Sequence, residues 1–389
     1  MKIIVSRLEG NHQGAGSGPA EWRRLVYRVD LGDKVFDTYF SGSELTTEPG
    51  LEAGLALALL PGMRLNRPIH VQGTVSTTFV RGANDFMTVM ARHFPEFTPV
   101  EITADAFVTA PASEGHRIAS FFSGGVDSFF TLIKGQKEIS DVVFIHGFDM
   151  SIKALERRAL VIRNIAQAAR EMGVRLIEVE TNLAVIIREF SDWLRHGHGL
   201  GMAAVSRVLG RDISEIRIPG SYSIDQQKPW GSWLATDPLF SDERLKVTHD
   251  ACLATRSDKV RAITLNPIAL NYLRVCSEKK ARDVYNCCRC EKCLRTMTSL
   301  YAMHALERAA SFHLPLDPRS VADVLLPRIG LRIFPNESLA LLREFRPQAK
   351  ELIAALETQR SRPVWWSRMR LKWRKRSVRL VNHLKRLRQ

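Results

Sequence analysis

Short apolar runs alternate with amphipathic ones along most of the chain, and the spacing changes once, near residue 110. Before that point the pattern is β-like. Residues 2–7, 24–30 and 34–40 are short runs rich in β-branched and aromatic positions, such as Leu25-Val26-Tyr27-Arg28-Val29. The Gly- and Ser-rich residues 12–19 read as a loop. Residues 51–60 are apolar and stop at Pro61-Gly62, a turn signal. Residues 69–80 have strand character, and 84–91 read as a helix ending near Pro95.

From Arg117 onward, strands and helices alternate. Strands are expected at 118–122, 141–148, 175–179, 215–218 and 246–249, with helices at 155–172, 183–194 and 202–209. Gly173 stops the first of these helices. Residues 197–201 read as a glycine- and histidine-bearing turn. This alternation predicts an α/β fold, a doubly wound, mostly parallel sheet with helices on both faces. Four regions follow: an N-terminal β-rich domain (1–112), an α/β nucleotide-binding domain (113–270), a Cys-rich and helical part (271–360) and a basic tail (361–389). The N-terminal region reads as a packing domain, with substrate binding as the other reading.

Ligands of such sheets sit at the carboxyl ends of the strands. Three segments fall there: Ser123-Gly124-Gly125-Val126-Asp127-Ser128, His146-Gly147-Phe148-Asp149, and Gly220-Ser221-Tyr222-Ser223. The first joins a buried strand to a helix start, so its backbone N–H groups and the helix dipole face one point and suit an anion. Gly124 and Gly125 allow close approach of a ligand. Ser123 and Ser128 add hydroxyl donors. Asp127 repels a phosphate and therefore works through magnesium or water. His146 is counted with this site, with capping or packing as the other reading. Residues 226–242, with Trp230, Trp233 and Asp237, read as a lid or substrate loop or as a structural Ω-loop. Arg256 and Lys259 are placed near phosphate oxygens, with a solvated surface role as the alternative.

The stretch SGGVDS resembles the signature of the PP-loop ATP pyrophosphatases, and no GK[ST] follows it as in a Walker motif. The resemblance implies an adenine-nucleotide alpha-hydrolase-like fold, cleavage of ATP between the α- and β-phosphates, Mg²⁺, and adenylation of a substrate oxygen.

Composition bears on two further points. There are six cysteines, and Cys287, Cys288, Cys290 and Cys293 crowd together in a chain whose default compartment is cytoplasmic. The opening MKIIVSRLEG is too short and too soon polar for a signal peptide, and no apolar run is long enough to span a bilayer. The cluster therefore reads as a metal site, not a disulfide framework. Cys276, Cys287, Cys290 and Cys293 make a closed, structural four-thiolate set, with Cys288 able to replace Cys287 and Zn²⁺ favoured over an iron–sulfur cluster. Cys252 reads as an ordinary buried cysteine.

A PP-loop chain with a distal Cys…CxxCxxC looks like the cyano-deazaguanine synthases over residues 117–310. That resemblance implies an ATP-activated small-molecule carboxylate, ammonia or an amine as nucleophile, and structural zinc. Three departures stand out: a long gap after Cys276, the HGFD strand end, and the added N- and C-terminal regions. They sit where substrate should bind, so the resemblance extends to the chemistry and not to the deazaguanine itself. A tRNA sulfur transferase with an iron–sulfur cluster and a non-catalytic nucleotide-binding scaffold are the other readings.

The net charge is +15, and the residues from Arg362 onward hold many Lys and Arg and no Asp or Glu. Trp366, Met369, Trp373, Leu380, Leu384 and Leu387 recur at helical spacing among them. This basic amphipathic helix is expected to lie on an anionic membrane, to contact nucleic acid, or to pack on the body. A second copy of the chain is a further expected partner.

Overall fold

The computed structural model describes residues 2–8, 19, 21–113, 115–276, 284–373 and 376. The expected loop at 12–19 and the tail positions Leu380, Leu384 and Leu387 lie, apart from Pro19, outside the described residues. The chain divides into two compact units, Met1–Thr255 and Arg256–Gln389.

The first unit is α/β. Its elements run β1 (Ile3–Leu8), β2 (Arg23–Asp30), β3 (Val35–Gly42), α1 (Glu52–Leu65), β4 (Ile69–Ser76), α2 (Thr77–His93), β5 (Ile102–Val108), β6 (Arg117–Phe121) and α3 (Val126–Lys134). They continue with β7 (Ile139–His146), α4 (Leu155–Glu171), β8 (Arg175–Thr181), α5 (Ala184–Phe190), α6 (His198–Arg207), β9 (Ile213–Pro219) and β10 (Lys246–Asp250). All ten strands form one sheet, in the order β10-β9-β6-β7-β8-β3-β2-β1-β4-β5. The five from β10 to β8 are mutually parallel, β3 pairs antiparallel with β8, and β1, β4 and β5 are again parallel.

The N-terminal strands share one sheet and one compact unit with the strands that follow residue 112. They extend the α/β sheet through the β3–β8 ladder, where Phe40 faces Thr181 and Gly42 faces Val179. Asn182 prolongs the ladder with its side chain: Oδ1 accepts from the Tyr39 amide at 2.9 Å and Nδ2 donates to the Asp37 carbonyl at 3.1 Å. Gly42 permits the approach, since a Cβ there would lie 2.7 Å from the Glu178 carbonyl oxygen.

One face of the sheet, with Val143, Ile177, Val179, Ile216 and Ile218, shares an apolar core with α1, α2, α5 and α6. Pro61-Gly62 does not end the apolar run. It sits inside α1, where every residue from Ala53 to Met63 is buried. Proline forfeits one helical hydrogen bond there, but the surrounding core holds the helix until Asn66 caps it in the left-handed region. Residues 69–80 split in two, because the Ser76 hydroxyl accepts from the Phe79 amide and starts α2. The expected turn at 197–201 is instead a π-helical segment, Trp193–Gly197, running into α6.

The second unit holds α7 (Arg256–Thr264), α8 (Pro267–Tyr272), α9 (Glu291–Ala302), α10 (Pro318–Ala322), α11 (Ile333–Phe345) and α12 (Lys350–Ser361), and residues 364–373 are helical again. Its core gathers Leu294, Ala302, Val321, Leu339, Leu342 and Leu356. No helix among the described residues is long and apolar enough to cross a membrane.

Candidate functional site

The connection from β6 runs over α3 to β7 on one side, whereas the chain leaving β8 crosses back to β9 on the other side of β6. The carboxyl ends of β6 and β9 therefore flank a topological switch point, where a parallel sheet opens a crevice. Residues 122–128 leave β6 at this point. Phe122 is buried, donates its amide to the Val143 carbonyl at 2.9 Å, and packs edge-on to Phe129. Gly124 turns the chain at φ +74°, a conformation that strains any side-chain-bearing residue. Gly125 is extended and caps α3, its carbonyl accepting from the Phe129 amide at 2.9 Å and the Ser128 hydroxyl at 3.1 Å. Ser128 is thus buried and closes the turn, while Ser123, Gly125 and Asp127 are half-buried. The first N–H groups of α3, from Val126 to Ser128, have no acceptor within the helix.

The turn after β9 meets this loop. Ser221 Oγ donates to Asp127 Oδ2 at 3.2 Å, on the solvent-exposed side. The same turn is stitched to the end of β10: the Gly220 amide donates to the Asp250 carbonyl at 3.0 Å and the Ile224 amide to the Cys252 carbonyl at 2.7 Å. Between them Ala251 adopts φ +65°, so the backbone of this corner is strained. Asp250 is held by Lys134 Nζ at 2.9 Å, which ties the far end of α3 to β10. A cavity of about 290 Å³ lies elsewhere, lined among others by Arg64, Glu96, Arg188, Asp192 and His196, and it shares no residue with the loop.

Two residues beneath the corner were not singled out together by sequence reasoning. His249 Nδ1 lies 2.7 Å from Asp237 Oδ2, and both side chains are buried. Burial pushes the His249 imidazole down, but the Asp237 carboxylate and the nearby Cys252 outweigh it and lift its pKa to about 9. His249 supports the site through its ring, since a Cβ on Gly220 would lie 2.6 Å from His249 Nε2. Asp237 also accepts from Ser232 Oγ at 2.6 Å and the Trp233 amide at 3.3 Å. Its carboxylate is engaged in holding the 226–242 segment in place, which favours the structural reading of that loop over a substrate-binding one.

His146 belongs to a different cluster. Its Nδ1 accepts from Arg158 Nε at 3.1 Å, which leaves Nε2–H to donate to Glu178 at 2.8 Å. Arg158 reaches on to Glu180 at 2.5 Å, and Tyr39 donates to the same Glu180 at 2.9 Å. Both ring nitrogens are therefore engaged by protein groups, and the packing reading of His146 describes its surroundings.

Arg256 and Lys259 lie on α7, which belongs to the second unit, and the loop belongs to the first. Lys259 is fully buried, so its alternative as a solvated surface cation does not hold.

In the second unit, Cys276, Cys287, Cys290 and Cys293 converge, with all four sulfurs within 4.8 Å of one another. Such a group can hold a metal ion. A tetrahedron with ~2.3 Å metal–sulfur bonds has edges of about 3.8 Å, and the Cys287 and Cys293 sulfurs stand 3.9 Å apart. Cys290 caps α9, Cys293 lies in its first turn, and the Cys290 amide donates to Cys287 Sγ at 3.3 Å. Crowding by Cys276 and Cys290, and then burial, push the Cys293 thiol far up, a situation that a divalent cation reverses. Cys288 is not a member. At φ +53° its sulfur points to the Asn286 carbonyl and to His313 Nδ1, 3.8 Å away. Asn286, which the sequence did not mark, is buried and joins the two cysteine segments. Its Oδ1 accepts from the Val275 and Cys276 amides at 2.9 and 3.2 Å, and its Nδ2 donates to the Leu273 and Ser311 carbonyls.

No family model, no curated protein and no solved structure matches the chain.

Proposed function

We propose that the protein is an ATP pyrophosphatase of the PP-loop type, which adenylates a carboxylate or carbonyl oxygen of a small molecule and passes the activated group to a nitrogen nucleophile. The observation that carries this reading is the position of SGGVDS at the switch point, with Ser221 of the neighbouring turn on Asp127. The strand order β8-β7-β6-β9-β10 reverses at the loop, as in doubly wound sheets that bind ligands at their switch point, and this supports the reading.

In this reading the β- and γ-phosphates of ATP lie over the first amides of α3 and the Ser123 hydroxyl. The dipole and N–H groups take up charge as it develops on the leaving pyrophosphate. Mg²⁺, held by Asp127, would offset the repulsion between that carboxylate and the phosphates. A substrate oxygen attacks the α-phosphorus, and the bond to the bridging oxygen of pyrophosphate breaks. Ammonia or an amine then attacks the activated carbon, forming the C–N bond and releasing AMP. Cyano-deazaguanine-synthase-like chemistry is the nearest pattern by resemblance.

The bound metal is proposed to be one structural Zn²⁺. Sulfur separations near the edge of a single-ion tetrahedron support it, because a multi-iron cluster between the same cysteines would spread them further.

The test is pyrophosphate release from ATP in the presence of candidate acids and ammonia. Wild-type protein should release pyrophosphate and AMP in equal amounts. A Ser123→Ala/Asp127→Ala variant that is folded and still releases pyrophosphate at the wild-type rate would remove the site assignment. Metal analysis separates the zinc protein from a brown iron-containing sulfur transferase.

A further inference from the structure

Residues 364–373 form a helix whose two faces differ in kind. One face is docked: Ser367 is buried, and Val364 and Leu371 are half-buried. Arg368 Nε donates to the Pro327 carbonyl at 2.8 Å, and just before the helix Arg362 Nη1 donates to the Val324 carbonyl at 3.2 Å. Trp366 is covered by the guanidinium groups of Arg362 and Arg370, 4.9 and 5.1 Å from its ring centre. It therefore does not belong to the apolar stripe that spacing assigned to it.

The stripe that faces solvent is Trp365, Met369 and Trp373, exposed by 65, 41 and 68% and set four residues apart. Positions four apart lie one above another along a helix, so these three form a single line. Lys372 and Arg376 are exposed beside it. Large apolar side chains aligned in water mark an interaction surface. Charge identifies the kind of surface: between Arg362 and Gln389 the chain carries 11 Lys and Arg and no Asp or Glu.

We propose that this helix is a peripheral anchor that lays Trp365, Met369 and Trp373 into the headgroup boundary of an anionic phospholipid bilayer. Tryptophan favours that boundary because its ring is apolar while its N–H stays hydrated. Lys372, Arg376 and the other cations of the segment meet the lipid phosphates. Neither element suffices alone: a short apolar stripe binds a neutral bilayer weakly, and a polybasic segment without insertion is displaced by salt. A nucleic acid fits the cations less completely, since Met369 offers no ring on which a base can stack. The inference is independent of the proposed chemistry at the nucleotide site.

The experiment is co-sedimentation of the full chain with phosphatidylcholine vesicles and with vesicles that also contain phosphatidylserine, with tryptophan emission read in parallel. The expected result is binding to the mixed vesicles, a blue shift on binding, and partial release by salt. A Trp365→Ser/Trp373→Ser variant, altered only at exposed positions, should bind at least about tenfold more weakly. Three results would overturn the proposal. The first is failure to bind mixed vesicles, or a double variant that binds as wild type does. The second is tight RNA binding, unaffected by the variant, without vesicle binding. The third is a concentration-dependent dimer abolished by the variant, which would assign the stripe to a second copy.

Discussion

Ser221 Oγ donates to Asp127 Oδ2 at 3.2 Å across 94 residues of sequence, and the bond joins the loops that leave β6 and β9. It fixes one carboxylate oxygen of Asp127 beside the first turn of α3. Asp127→Asn should keep the fold and lower pyrophosphate release by about 10²-fold or more, the usual cost of losing a group that stabilises developing charge. Ser221→Ala should cost less, and raising Mg²⁺ should restore part of the loss. Steady-state rates against Mg²⁺ concentration check both, and equal rates for Asp127→Asn and wild type would defeat the role given to Asp127.

Gly220 has no room for a side chain. A Cβ there would stand 2.6 Å from His249 Nε2 and 2.7 Å from the Asp250 carbonyl oxygen. The second of these is backbone, so the turn after β9 would have to move away from β10 and carry Ser221 with it. Gly220→Ala should therefore impair nucleotide binding and lower Tm. ATP titration followed by calorimetry tests this, and unchanged affinity would show that the turn does not contribute.

The His249–Asp237 pair makes stability depend on pH in a stated direction. The folded pKa of His249 is raised, to about 9 against an ordinary 6.5. Its contribution is thus complete below pH 6.5 and is lost as pH rises through about 9. A shift of that size corresponds to about 3 kcal/mol. Thermal melts from pH 6 to 10 should show Tm falling on the alkaline side. In Asp237→Asn that fall should flatten, and the protein should be less stable at pH 6. A wild-type Tm that stays level through pH 9 would contradict the pair's role.

The parts of the fold legible in the sequence were those with local causes. The apolar run into β6, the glycine pair and the amphipathic start of α3 are adjacent in the chain, and Gly173 does follow the helix it was expected to stop. Partnership at a distance was not legible. Nothing in residues 35–42 announces that β3 will pair with β8, because an alternating strand does not name its neighbour and Asn182 completes the ladder with a side chain. Pro61 reads as a break because propensity is local, whereas burial of α1 on all sides is a tertiary effect. His249 and Asp237 sit on opposite sides of a turn that brings them together, so neither pattern nor spacing marks them as a pair. In the metal group, CxxC spacing selected Cys287, Cys290 and Cys293 and left Cys288 as an alternative to Cys287. The choice of Cys287 over Cys288 depended on one backbone angle.

Asn286 supplies the last prediction. The segments bearing Cys276 and Cys287 are joined by its amide, which makes four hydrogen bonds from a fully buried position. Removing it leaves the Val275 and Cys276 amides without their acceptor and frees Cys276 to drift from the other sulfurs. Groups that orient ligands from behind in this way typically contribute 10–100-fold to metal affinity. Asn286→Ala should therefore lose its metal to a chelator at concentrations that wild type withstands, and its Tm should fall. Cys288→Ser should keep the metal, because that sulfur faces His313 and the Asn286 carbonyl. Cys287→Ser should not keep it. Metal content after dialysis against a graded chelator series reads all three. A Cys288→Ser protein that loses metal while Cys287→Ser retains it would reverse the ligand assignment.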